Sequence, residues 1–238
     1  MKKISVIVID DERLAREEVI RSLADFPEFD VIGQAKNYEE AKKQIETLQP
    51  ELIFLDIQMP GGSGLDLLES LNEVPQVVFT TAFNEYAVQA FDMEALDYLV
   101  KPLRKERFAI TIERIKKRIG KNGLPQHDHL EKQVFIKDGS KCFFVQLKDV
   151  YLIESADNYA RLYFNDRKAL IKRSLSQLEG TLDNSVFFRI NRNQIINTKY
   201  ISEINNLEKG RLQVRLQKGK PMEVSLRQSA LFKSLNRI

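Results

Sequence analysis

The first half of the chain alternates short apolar runs with stretches in which apolar residues recur every three or four positions. The runs Ile4–Ile9, Leu52–Leu55, Val77–Thr80 and Leu96–Val100 are apolar almost throughout. That is the pattern of parallel strands buried on both faces. Helical spacing predicts helices over about 12–24, 37–48, 63–72, 84–92 and 104–119. The last carries Phe108, Ile112, Ile115 and Ile119 as one apolar stripe among Arg and Lys. Five strands alternating with five helices describe a doubly wound α/β fold with a parallel five-stranded sheet. After Gln133 the pattern changes to ten short runs rich in β-branched and aromatic residues, punctuated by Asp138-Gly139, Asn165-Asp166 and Lys218-Gly219. These runs predict a mainly-β module, with helices near 174–182 and 226–236.

The change of pattern divides 238 residues into two ordinary domains, 1–120 and 133–238, joined by a Gly- and Pro-containing linker over 121–132. Charge divides the same way. Residues 1–120 hold 16 Lys/Arg and 22 Asp/Glu, net −6, whereas residues 121–238 hold 21 and 12, net +9. Only the second half therefore suits a polyanion. The single cysteine, Cys142, excludes a disulfide framework and lies in an apolar run that suits a small buried side chain. His127-Asp128-His129 in the linker makes a poor chelate without further ligands. With neither a secretory signal nor a long apolar stretch, the chain is expected in the cytoplasm, with no membrane partner.

In an open parallel sheet, ligands bind at the carboxyl ends of the strands. Asp10 and Asp11, Asp56, Thr81 and Lys101 each stand at such an end. Carboxylates held together need a proton or a hard cation, and Mg²⁺ takes oxygen ligands and completes its shell with phosphate. Asp56 at the centre is a competent nucleophile for phosphoryl transfer, giving an acyl phosphate. Lys101 can neutralise a phosphoryl oxygen. Phosphatases with an aspartate nucleophile need a second Asp two residues on as general acid; Gln58 stands there and cannot supply the proton.

Val8–Glu12, Phe54–Pro60, Thr81-Ala82 and Asp97–Pro102 resemble the signature stretches of receiver domains of two-component response regulators. The resemblance covers about the first 120 residues. It implies that Asp56 is the phosphoacceptor and that Asp11, Asp56 and the Gln58 carbonyl bind Mg²⁺, with Asp10 reaching it through water. It also implies that Thr81 and Lys101 contact the phosphoryl group, that Tyr98 switches with Thr81, and that Lys101-Pro102 is a cis peptide. Such a domain catalyses only its own phosphorylation and dephosphorylation, and is not otherwise an enzyme.

In the second half, Phe187 to Asn197 sets Arg189, Asn191, Arg192 and Asn193 between apolar anchors. Arg reads guanine bidentately, and Asn can read adenine or bond phosphate. Ser225 precedes a helix with Arg227 in its first turn, where the helix dipole disfavours a cation, so Arg227 is a candidate for outside contact. Asn158, Tyr159 and Arg161 form a third polar loop. These stretches resemble the LytTR DNA-binding domain of the LytR/AlgR class of regulators, in which loops enter the major groove. By position, Arg192, Arg227 and a residue at or beside Ala160 would read bases; Asn191-Arg192-Asn193 departs from the usual pattern, which has His-Arg there, and the apolar Ala160 cannot hydrogen-bond a base. Together the two resemblances imply a transcriptional regulator that a sensor histidine kinase phosphorylates at Asp56, and that then dimerises and binds double-stranded promoter DNA. An alternative is a phosphorylation-controlled module whose basic half binds an acidic protein.

Overall fold

The computed structural model describes residues 3–82, 95–120, 132–139 and 141–236. The expected helix 84–92 and most of the expected linker, with His127-Asp128-His129, lie outside these residues. The chain forms two compact units. One comprises the described residues up to Gly120 together with Gln133–Phe144, and the other comprises Lys132 and Val145 onward.

In the first unit, β1 (Ile4–Ile9), β2 (Phe29–Ala35), β3 (Leu52–Asp56), β4 (Gln76–Thr81) and β5 (Asp97–Val100) form a parallel sheet in the order β2-β1-β3-β4-β5. Helices α1 (Arg13–Ala24), α2 (Tyr38–Leu48), α3 (Gly64–Ser70) and α4 (Lys105–Gly120) match their predicted spans to within two residues at every end. Side chains alternate across each strand. Val6, Val8, Leu52 and Phe54 join Val19 of α1 and Phe108, Ile112 and Ile115 of α4 on one face. Ile7, Ile9, Ile53 and Leu55 meet Ala41 and Ile45 of α2 and Leu67 and Leu68 of α3 on the other. Asp97 of β5 anchors α4, taking Arg107 at 2.5 Å, Arg114 at 2.8 Å and the Thr111 hydroxyl at 2.8 Å. Burial opposes its charge, but Arg107, the Thr111 hydroxyl and the Tyr98 amide together outweigh it and hold this carboxyl below its ordinary pKa.

The expected boundary at 133 is displaced. The strands β6 (Gln133–Asp138) and β7 (Lys141–Gln146) form a hairpin, of which residues up to Phe144 group with the first unit. Phe135, Cys142 and Phe144 belong to the same apolar cluster as Leu68, Val74 and Phe79. The Phe144 ring lies 5.2 Å from Phe135 and 6.4 Å from Phe79, centroid to centroid. Val74 N donates to Gln133 O, Gln133 Nε2 donates to Pro75 O at 2.6 Å, and Lys137 pairs with Asp66 at 3.0 Å. The run Val134-Phe135-Ile136 is buried on both faces, so one face is free to join this core.

The second unit holds an antiparallel sheet of β8 (Val150–Ala156), β9 (Tyr159–Phe164), β10 (Arg167–Ile171), β11 (Phe187–Asn191) and β12 (Gln194–Asn197), ordered β10-β9-β8-β12-β11. A second sheet holds β13 (Ile201–Asn206), β14 (Leu212–Leu216) and β15 (Met222–Val224). Helix α5 (Leu175–Glu179) starts from a capping box of Ser174 and Gln177. Helix α6 (Leu226–Asn236) packs Phe232 edge-on against Phe188 at 5.0 Å, within a core that includes Ile190, Val214 and Val224. Among the described residues no helix is long and apolar enough to cross a membrane.

Candidate functional site

Strand register assembles the acidic cleft of the first unit. Pairing Leu55 with Phe79 and Asp56 with Thr80 puts Thr81 one step beyond Asp56, and pairing Thr81 with Val100 delivers Lys101 just past the edge. Asp10 is 1% exposed, Asp56 6% and Thr81 0%, while Asp11 is exposed. Lys101 Nζ bridges the two buried carboxylates, 2.6 Å from Asp10 Oδ2 and 3.2 Å from Asp56 Oδ2. The Lys101-Pro102 peptide is cis, as the resemblance implied. Gly64 opens α3 directly against this site. Any Cβ there would overlap the Asp56 carbonyl oxygen, so only glycine lets the helix start so close to β3.

Burial raises the pKa of Asp10 and of Asp56, and Lys101 offsets this only in part. Burial also pulls on the Lys101 ammonium, but its pairing with Asp10 and Asp56 together outweighs that and holds it above its ordinary value. One oxygen from each of Asp10, Asp11 and Asp56 can lie within 4.8 Å of the others. Three carboxylates facing one ammonium leave an excess of negative charge, and every donor is a hard oxygen. This set fits Mg²⁺ and suits no soft metal.

Arg16 went unnoticed in the sequence. Its guanidinium donates to the backbone carbonyls of Asp10 at 2.7 Å and Asp11 at 3.2 Å, fixing the acidic loop from behind. A cation near the start of α1, where the helix dipole disfavours it, was the available signal.

The predicted basic loops of the second unit come together at one edge. Ser155 N donates to Asn193 O at 2.8 Å, Ser225 N to Ile190 O at 2.9 Å, and Asn191 Nδ2 to Glu223 O at 3.1 Å. The turn of Asn191–Asn193 is thus joined to the end of β8 and to β15, which leads into α6. Arg192, Asn193, Arg227, Asn158 and Tyr159 are exposed there, and Arg161 is half-buried. Ala160 is 0% exposed and faces the core with Leu162 and Phe164, so any contact in this loop falls to its neighbours.

A response regulator receiver domain model matches residues 6–113, and a LytTr DNA-binding domain model matches residues 140–236. A response regulatory protein of Vibrio cholerae is 36% identical over 227 residues, covering 94% of each chain. The sensory transduction protein LytT of Bacillus subtilis is 32% identical over 205 residues, covering 84% of this chain and 85% of its own. The transcriptional regulatory protein BtsR of Escherichia coli is 31% identical over 230 residues, covering 94% and 95%.

Proposed function

Because the chain belongs to the response regulators that join a receiver domain to a LytTR DNA-binding domain, we propose that a sensor histidine kinase phosphorylates Asp56 and that the phosphorylated protein dimerises on promoter DNA in the cytoplasm. The observation that carries this reading is the Lys101 bridge between Asp10 and Asp56. A carboxylate oxygen of Asp56 attacks the phosphorus of a phosphohistidine, a P–O bond forms as the P–N bond breaks, and the imidazole leaves. Lys101, already within reach of that oxygen, neutralises charge developing on the phosphoryl group, and the Thr81 hydroxyl donates to it. Asp10, Asp11, Asp56 and the Gln58 carbonyl would hold Mg²⁺, which supplies the remaining positive charge. Drawing Thr81 toward the phosphoryl group frees space for Tyr98, a neighbour of the β5–α4 face, to turn inward. Two receivers then pair through that face. The protein transforms no external substrate; its chemistry is its own phosphorylation and dephosphorylation.

Sedimentation of the full chain tests the coupling. With beryllofluoride and Mg²⁺ the distribution shifts from monomer to dimer, because a ligand moves an equilibrium by its differential affinity for the two states. The same distribution with and without the mimic, at every concentration, contradicts the reading.

Mg²⁺ is also expected to raise the unfolding midpoint, by about 2.7 kcal/mol of stability at a hundred times its dissociation constant. Asp11→Ala should remove most of this gain. The metal competes with protons on Asp10 and Asp56, so the gain fades as pH falls through their raised values. Without metal the sign reverses. Below the ordinary carboxylate range both groups are protonated, folded or unfolded, and ionising them costs stability as pH rises through their folded values. Thermal unfolding across pH, with and without Mg²⁺, measures both effects; a metal gain that grew on acidification would contradict this assignment.

On DNA, Arg192→Ala and Arg227→Ala should each cost about 1–3 kcal/mol and relax preference at one base position. Substituting the exposed Lys172 or Lys199 should instead weaken all sequences alike and lower the salt slope by about one. Binding to a randomised duplex pool at two salt concentrations separates the classes. A uniform loss for the arginine variants would leave them as phosphate anchors.

A further inference from the structure

Arg189 lies two residues before the exposed Arg192 turn, yet its own guanidinium is committed inward. It is 22% exposed, with Nη1 2.7 Å from Glu179 Oε2 at the end of α5. Its Nε donates to Asn191 O at 3.2 Å and its Nη2 to Arg192 O at 3.0 Å. One planar fork therefore spans from a helix carboxylate to two carbonyls of the turn. Asn191 is committed as fully. Its Nδ2 donates to Gln194 Oε1 at 2.9 Å and to Glu223 O at 3.1 Å, and its Oδ1 accepts from Asn193 N at 2.9 Å. Both amide donors are spent inside the unit, so the bidentate pattern that reads adenine is not open to it. Gln194 carries the chain of bonds to Glu154 Oε1 at 2.9 Å, and Glu154 Oε2 accepts from the Tyr163 hydroxyl at 2.7 Å.

We propose that Arg189 and Asn191 are positioning residues for DNA recognition. They touch no base, and they set which base Arg192 reads by holding its turn in one conformation and tying it to Glu223, four residues before Arg227. The proposal rests on the reading of the second unit as a DNA-binding domain. Its physical basis is preorganisation. A turn of exposed polar residues must otherwise be ordered when DNA arrives, and a side chain held loosely on it meets several base edges comparably well. Lys cannot replace Arg189, because a point charge on a flexible stem can pair with Glu179 but cannot span two carbonyls as well.

Full-length protein is selected against a randomised DNA duplex pool at two salt concentrations. The variants are Arg189→Lys, Asn191→Ala, Arg192→Ala and Arg189→Lys with Arg192→Ala, and thermal unfolding is recorded for each. Arg192→Ala is expected to lower discrimination at one base position by on the order of 5- to 150-fold. Arg189→Lys and Asn191→Ala should relax that same position, with the wild-type salt slope retained. The double variant should discriminate no less than Arg192→Ala alone, since Arg189 acts through Arg192. A merely structural role would lower unfolding temperature and weaken every sequence together, and that result overturns the proposal. So does a wild-type base preference in Arg189→Lys and Asn191→Ala, a reduced salt slope marking a direct phosphate contact, or an additive loss in the double variant. If Arg189→Lys does not fold, Asn191→Ala decides alone. A wild-type chain that selects nothing overturns the DNA-binding reading and this inference with it, whereas selection by wild type with unchanged variants overturns the inference only.

Discussion

Incubated with acetyl phosphate and Mg²⁺, the wild-type chain is expected to gain the mass of one phosphoryl group, and Asp56→Asn to gain none. The loss should be complete because no other carboxylate in the cleft can take over. Asp10 is the most enclosed of the three and is held by Lys101 at 2.6 Å through one oxygen and by the Glu12 amide at 3.0 Å through the other. Asp11 is exposed to solvent rather than enclosed in the cleft. Asp56 alone combines a central strand end, enclosure and Lys101 at 3.2 Å. Asn preserves its shape and removes the nucleophilic charge. Intact mass measures the outcome directly, and a full gain in Asp56→Asn would place the acceptor elsewhere.

Phe135→Ala is expected to destabilise the first unit by about 3–5 kcal/mol, the usual cost of removing a buried aromatic ring and leaving a cavity. By position in sequence Phe135 belongs to the second half, so an ordinary domain division assigns it no effect on the receiver. The packing says otherwise. Phe135 is 1% exposed, edge-on to Phe144, and clustered with Leu68, Val74 and Phe79 on the α3 face of the parallel sheet. Urea unfolding of the full chain measures the change. A chain of two units can unfold in two transitions, and the transition that beryllofluoride and Mg²⁺ move identifies the first unit. A Phe135→Ala effect confined to the other transition, or below about 1 kcal/mol, would contradict this packing.

Why the cleft was legible in the sequence and the hairpin's place was not follows from the range of the forces involved. Apolar runs with polar residues at their ends are local patterns, and a parallel sheet converts strand ends into neighbours without further information. Asp10, Asp56, Thr81 and Lys101 could therefore be grouped correctly from spacing and chemistry. The β6–β7 run was recognisable as strands, but which core would accept Phe135 and Phe144 depends on a surface formed by α3 and β4, far away in sequence. Its one local sign was apolar character on both faces. The roles of Arg16 and Arg189 were harder still: a cation near the start of α1 and a place in the basic cluster were their only signs, and the backbone carbonyls they donate to carry no residue identity. Ala160 was within reach of pattern reasoning. Ala160, Leu162 and Phe164 share one parity in β9, and only that parity is buried throughout.

Control of DNA binding by Asp56 is tested most directly by titrating the full-length protein against its selected duplex, with and without acetyl phosphate and Mg²⁺, for wild type and Asp56→Asn. The phosphodonor should tighten wild-type binding by at least the share of affinity that dimerisation contributes, and should leave Asp56→Asn unchanged. Equal affinity of wild type with and without the phosphodonor, or equal tightening of both proteins, would contradict the account.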